Sequence, residues 1–310
     1  MLSFLFYLEY YNIRYLHFYD ANVFYNMSER GNKMNIVNLR PKQRSKYRIM
    51  LGTWYYSTKR YIQWLTDGKT YAKTLQQEKL PCTAIQHRTI LLRKLKDVDM
   101  WYQQNKVVNL KVAIKQLDGI IIRPGETFSY WRLIGKPTKR KGYVEGMILH
   151  YGSFQAGIGG GLCQLSNLIY WMTLHTPLTV TERYRHSFDV FPDSKRTQPF
   201  GSGATCSYNY LDLQIKNETD QSYQLHLYIT DTHLVGEWRT TYPQLYQYEV
   251  YEKEHSIQPA YWGGYIRHNV IQRRVYSQQK QFIEDQYVTE NHAIMMYEPL
   301  LTCNNEESGH

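Results

Sequence analysis

Four glycines crowd into five positions of "GIGGGLCQLS", residues 157–166, and they end at Cys163 just as an amphipathic run begins. Glycine loses more backbone entropy on folding than any other residue, so such a run requires a reason. Two physical reasons are available. The backbone there turns through left-handed conformations or meets other backbone closely, which only glycine tolerates. Alternatively, the run exposes the first amides of a helix, whose dipole stabilises a thiolate or an oxyanion.

The run past Cys163 supports a helix over about 162–175, stopped before Pro177. Leu162, Leu165, Ile169 and Met172 fall on one apolar stripe, with Cys163, Ser166, Asn167 and Tyr170 on the adjacent, more polar one. Cys163 at the first turn is therefore either a nucleophile with a depressed pKa or a small side chain in a tight helix–sheet contact. Residue types alone leave these two evenly matched. A phosphate cradle is disfavoured because no Gly-Lys-Ser/Thr follows. A thiol nucleophile needs a base and a group to orient it. His186, in "ERYRHSFD", and Asp212, in "YLDLQIKN", are the candidates, with Asp189 as a nearer acid. His175 lies about 18 Å along the same helix and is excluded. In this reading Gly159, Gly160 and Gly161 shape the oxyanion loop.

The rest of the chain reads as α+β. Helical periodicity covers 45–65 and 105–119, the second with Val108, Ala113, Ile114 and Leu117 as its buried stripe and Gly119 as its C-terminal cap. "IQHRTILLRKL", 85–95, reads as a strand, and "IIIRPGETFSYW" as strand, Pro-Gly turn, strand. A strand pair follows in "YVEGMILHYGSF", then a strand over 178–191 and several more beyond residue 204. The expected architecture is N-terminal helices, then a central helix preceded by the Gly-rich loop, packed on a mostly antiparallel sheet. Transglutaminase and cysteine-peptidase folds resemble it in architecture only. Four segments are expected: an appended aromatic leader over 1–35, a basic helical region over 36–84, the α+β domain over 85–245, and a C-terminal extension over 246–310, partly strand with a disordered tail.

Charge narrows the partners. The chain carries +10 formally, and from Arg40 to Lys96 fourteen Lys and Arg face only Asp67 and Glu78. Such a run attracts an anionic membrane surface or wall polymer, although a solvated face is the plainer reading. No motif points to specific nucleic acid. Thirty tyrosines suit half-exposed recognition surfaces, and a codon bias explains them equally well. Cys82, Cys163, Cys206 and Cys303 form no metal-ligand spacing and no disulfide framework. No metal and no cofactor are expected, and the thiols fit a reducing, cytoplasmic location. The leader is interrupted by Glu9, Arg14, His17 and Asp20, so it is not a spanning helix; contact with a membrane surface is the expectation.

The blocks "GIIIRPGETFSYWRLIGKPTKRKGYVEGM", "GIGGGLCQLSNLIYW", "LTVTERYRHSFDVFPDS", "PFGSGAT" and "YLDLQIKNETD" resemble, in order, the VanW family, over about residues 85–245. The family pattern falls on Gly159, Gly160, Gly161, Cys163, Gln164 and Ser166; on Glu182, Arg183, His186 and Ser187; and on Asp212 and Asn217. Upstream it covers Pro124, Gly125, Glu126, Phe128, Gly135 and Gly142. Gly203 departs from it, standing where many members carry Asp. The resemblance implies an accessory role in glycopeptide resistance and cell-wall metabolism, with a peptidoglycan precursor or muropeptide as partner. In the enzymatic version Cys163, His186 and Asp212 carry acyl-transfer or amidase chemistry, and Gln164, Ser166, Glu182, Arg183, Ser187 and Asn217 contact the ligand. In the other version the same surface is a binding module for a wall glycan, peptide or anionic polymer.

Overall fold

The computed structural model describes residues 45–93, 99–150, 153–190, 198–260 and 264–298. The leader and the end of the C-terminal tail lie outside them. Helix α1 (Lys46–Thr66) opens on Ser45, whose hydroxyl accepts the Arg48 amide, and stops at Asp67. Tyr47, Met50, Leu51, Trp54, Tyr55, Tyr61 and Leu65 stay exposed, whereas Arg60 and Trp64 turn inward. Arg60 holds the chain here: its guanidinium donates to both Glu182 carboxylate oxygens and to the Tyr210 carbonyl.

Strands β1 (Thr74–Leu75), β2 (Cys82–Ile90), β3 (Ile120–Ile122), β10 (Tyr223–Ile229) and β11 (His233–Thr240) form a five-stranded sheet in the order β1-β3-β10-β11-β2. Helix α2 (Met100–Leu117) packs near β10 and near the hairpin of β5 (Glu145–His150) and β6 (Ser153–Ile158). Its buried side is Gln103, Lys106, Asn109, Leu110, Ala113 and Leu117. The helix is as expected, but its facing is corrected: Val108 is exposed and Ile114 only partly covered. The stripe that buries includes three polar residues that apolar periodicity does not register. Gly119 does end the helix with φ +85°.

The two strands expected around the Pro-Gly turn exist, β3 and β4 (Thr127–Ser129), but they do not pair with each other. Gly125 at φ +79° turns the chain from one sheet into another, where β4, β9 (Gln214–Lys216) and β7 (Thr179–Glu182) lie side by side. A short helix, α3 (Tyr130–Ile134), follows β4 directly. Helix α4 (Cys163–Thr173) buries Leu165, Leu168, Ile169 and Met172 against β11 and β2. Gly236 of β11 permits this, because a Cβ there would stand 2.6 Å from Met172 Cε. The strand expected over 178–191 is split into β7 and β8 (Phe188–Asp189), since Arg183 leaves the ladder to bind elsewhere. Three long antiparallel strands complete the described chain: β12 (Tyr246–Pro259), β13 (Tyr265–Ser277) and β14 (Phe282–Met295), with β8 parallel to β14. Among the described residues no helix is long and apolar enough to cross a membrane.

Breaking a buried ion pair leaves an uncompensated charge, which costs about 3–5 kcal/mol. Arg60→Ala is therefore expected to lower the midpoint of chemical denaturation by that equivalent, while Lys59→Ala, exposed one position earlier, leaves it within about 0.5 kcal/mol.

Candidate functional site

The glycine run is a turn that packs before it does anything else. Gly159 and Gly161 adopt φ +77° and +90°, a region other residues rarely enter. A Cβ on Gly160 would lie 2.1 Å from the Gly146 carbonyl carbon, and one on Gly161 would lie 2.3 Å from the Lys106 stem. Asn109 fixes the turn from α2: its amide nitrogen donates to the Gly160 carbonyl at 2.9 Å and the Val144 carbonyl at 3.1 Å. Its oxygen accepts the Val144 amide at 2.8 Å. Lys106 is buried beside it, donates to Gln103 at 2.7 Å, and has its pKa pushed down to about 8 by burial.

Cys163 begins α4 behind this turn, and Leu162 ahead of it offers no side-chain cap. Among the described residues the amides of Gly161, Leu162 and Cys163 donate to no other residue, as the first amides of a helix do. The residue is half-buried, and its thiol donates weakly to the Cys206 carbonyl at 3.9 Å. Burial pushes the thiol pKa up, with backbone hydrogen bonds opposing. The thiol pKa therefore lies above, not below, its ordinary value, because loss of water outweighs the amides of one helical turn. Cys206 packs against the core beside it, and its thiol is also pushed up by burial and by Cys163.

No hydrogen bond joins the other candidate groups to the Cys163 thiol among the described residues. His186 has its pKa lowered to about 4, by burial first and the Arg185 charge second, so it is a neutral imidazole and a weak base. No hydrogen bond joins it to Cys163 or Asp212 among the described residues. Asp212 is fully buried; it accepts the Ser129 hydroxyl at 2.5 Å, the Trp131 amide at 2.9 Å and the Leu213 amide at 3.0 Å. Its carboxyl is the anchor of α3, and burial raises its pKa to about 6. Asp189 meets Arg267 and the Tyr297 hydroxyl instead.

The expected ligand contacts are engaged within the fold too. Gln164 donates to Thr89 and the Ile90 carbonyl. Ser166 donates to the Ala204 carbonyl at 2.7 Å. Glu182 pairs with Arg60 and accepts the Asp212 amide. Arg183 donates to the Gly201 and Gly203 carbonyls and to Thr289 and Asn291, stacking over Tyr170. The Ser187 carbonyl accepts the Ile294 amide. Asn217 bridges the Ile122 and Gln221 carbonyls and caps its own turn at Thr219. Gly203 admits no larger side chain without moving Asn167, whose oxygen would lie 2.6 Å from a new Cβ. Lys106, Asn109 and Tyr130 were missing from the sequence reading. Tyr130 donates to the Leu162 carbonyl at 3.0 Å, and Lys106 and Asn109 line the turn from α2, where only their three-residue spacing marks them.

Residues 105–239 match the family model described as VanW like protein. The chain is 40% identical over 171 residues to the vancomycin B-type resistance protein VanW of Enterococcus faecalis, covering 55% of this chain and 62% of that one. It is 31% identical over 113 residues to the uncharacterized protein YoaR of Bacillus subtilis, covering 36% of each. The chain therefore spans less than two thirds of either relative. No solved structure matches it.

Two outcomes test this geometry. Gly160→Ala drives a methyl into the Gly146 backbone and is expected to lose about 3 kcal/mol of stability, measured by denaturant unfolding. The unfolded chain takes a proton on His186 near pH 6.5, and the folded one only near pH 4. Proton binding therefore favours unfolding as pH falls through that window, and stability drops by about 3 kcal/mol between them. His186→Gln is expected to flatten this part of a stability–pH profile recorded by thermal melts.

Proposed function

We propose that this chain, whose residues 105–239 are a VanW-family domain, serves glycopeptide resistance and cell-wall metabolism as a binding module. On this reading it holds a peptidoglycan precursor or muropeptide at the glycine turn and does not turn it over. The resistance setting is carried over from the enterococcal relative. The observation that carries the binding reading is the state of the three groups a thiol mechanism needs, which no hydrogen bond joins among the described residues. The sulfur is raised, the imidazole is a weak base, and Asp212 is committed to α3.

A ligand for the turn is anionic. The amides of Gly161, Leu162 and Cys163 sit at the positive end of α4, and Lys106, still mostly charged at neutral pH, lies against Gly161. The terminal carboxylate of a wall peptide fits that donor set. A cytoplasmic location, with the basic run from Arg40 to Lys96 resting on an anionic membrane surface, belongs to the same proposal.

One observation favours the enzymatic alternative: the uncommitted amides stand beside a partly exposed cysteine, as an oxyanion hole requires. The two readings part on Cys163. For the binding module, Cys163→Ser keeps saturable muropeptide binding by calorimetry, and iodoacetamide modifies Cys163 more slowly than a free thiol at neutral pH. Fast alkylation there, with release of a cleaved or transferred peptide that Cys163→Ala abolishes, would give the site to cysteine catalysis instead.

A further inference from the structure

We propose that His268, Glu290 and His292 form a divalent transition-metal site on the C-terminal sheet, outside the VanW-like region. The register places them. His268 of β13 lies directly opposite His292 of β14, and Glu290 precedes His292 by two residues, so all three side chains leave one face. Both imidazole Nε2 atoms lie 2.9 Å from the same Glu290 oxygen, Oε1. All three ligand atoms fall within 4.8 Å of one another, and the two rings stack with centroids 4.5 Å apart.

The donor set decides the class of ion. Two imidazoles and one carboxylate suit zinc, cobalt, nickel or copper, whereas calcium and magnesium ask for oxygen ligands throughout. A tetrahedral ion bound at about 2.0–2.2 Å holds its ligand atoms about 3.3 Å apart. The two contacts at 2.9 Å are already in that range, and rotation of partly exposed side chains brings the two nitrogens together. The backbone positions are held by the ladder of two long strands. Three protein ligands leave a fourth position open, the arrangement of sites that bind water or an exchangeable anion rather than of closed structural ones. The same contacts without a metal are two surface histidine–carboxylate pairs.

Equilibrium with metal separates these. The full chain, stripped with chelator and dialysed, is titrated with Zn²⁺ by calorimetry and with Co²⁺ by visible absorption. One equivalent of each, with a cobalt spectrum of low coordination symmetry, is the expected result. His268→Ala and His292→Ala are each expected to weaken Zn²⁺ binding by at least tenfold, and Glu290→Gln by about tenfold. His255→Ala, on neighbouring β12, is expected to leave it unchanged. Circular dichroism identical to the parent shows that each variant is folded; because the three residues lie at the surface, the parent chain itself carries the test should a variant fail. Absence of saturable Zn²⁺ binding by the parent overturns the proposal, and so does binding that survives the His268→Ala/His292→Ala double variant.

Discussion

One buried side-chain amide holds the turn in place. Asn109 donates from its amide nitrogen to the Val144 and Gly160 carbonyls and accepts the Val144 amide on its oxygen, so α2, the start of the β5–β6 hairpin and the entry to α4 share one hydrogen-bonded point. That closeness is affordable only where no Cβ intervenes, and Gly146 and Gly160 supply it from both sides. Once Gly160 is fixed, Gly161 must turn left-handed past the Lys106 stem, and the first amides of α4 are delivered to one place. The entropy spent on the glycines thus goes first to packing. The open amides follow from the packing, as the ends of any helix would leave them.

Similar economy governs the polar residues around the turn. A buried polar side chain without a partner costs more than its hydrogen bond is worth, so each must be satisfied within the fold. Asp212 gathers the start of α3, Asn217 closes the turn before β10, Arg183 ties the 201–203 segment to β14, and Glu182 clamps Arg60. A buried polar constellation and a catalytic one draw on the same residue types. Asp212 looked like an orienting acid in sequence because it is an acid in a strand near a histidine. In three dimensions its two oxygens are filled by donors at the end of β4, in the first turn of α3 and on its own next residue.

Legibility followed the same line. Apolar periodicity located α4 and its buried stripe, and the glycine at 119 marked the end of α2, because both signals are local. The facing of α2 was missed because Lys106 and Asn109 bury for reasons that hydrophobicity cannot register. The partners of β3 and β4 were missed because a Pro-Gly turn reports a change of direction, not which sheet the next strand joins. The two readings of the thiol stayed open in the sequence because the helix dipole is visible there and the burial that raises the thiol pKa is not.

The C-terminal sheet joins the rest through contacts that alternate along one strand. Asn291 of β14 points inward and accepts Arg183, while Glu290 and His292 on either side point outward together. Arg273 of β13 reaches the Leu174 and Thr176 carbonyls at the far end of α4. The helix that begins at Cys163 is therefore seated at its C-terminus by the sheet whose outer face carries the histidine cluster. Whatever fixes the position of β13 against β14 also fixes the Asn291 acceptor that Arg183 uses. Arg183 in turn binds Gly203 next to Ala204, whose carbonyl holds Ser166 in the first turn of the helix. A chain of short contacts thus runs from the outer face of β14 to the turn around Cys163, every link a hydrogen bond or a peptide bond.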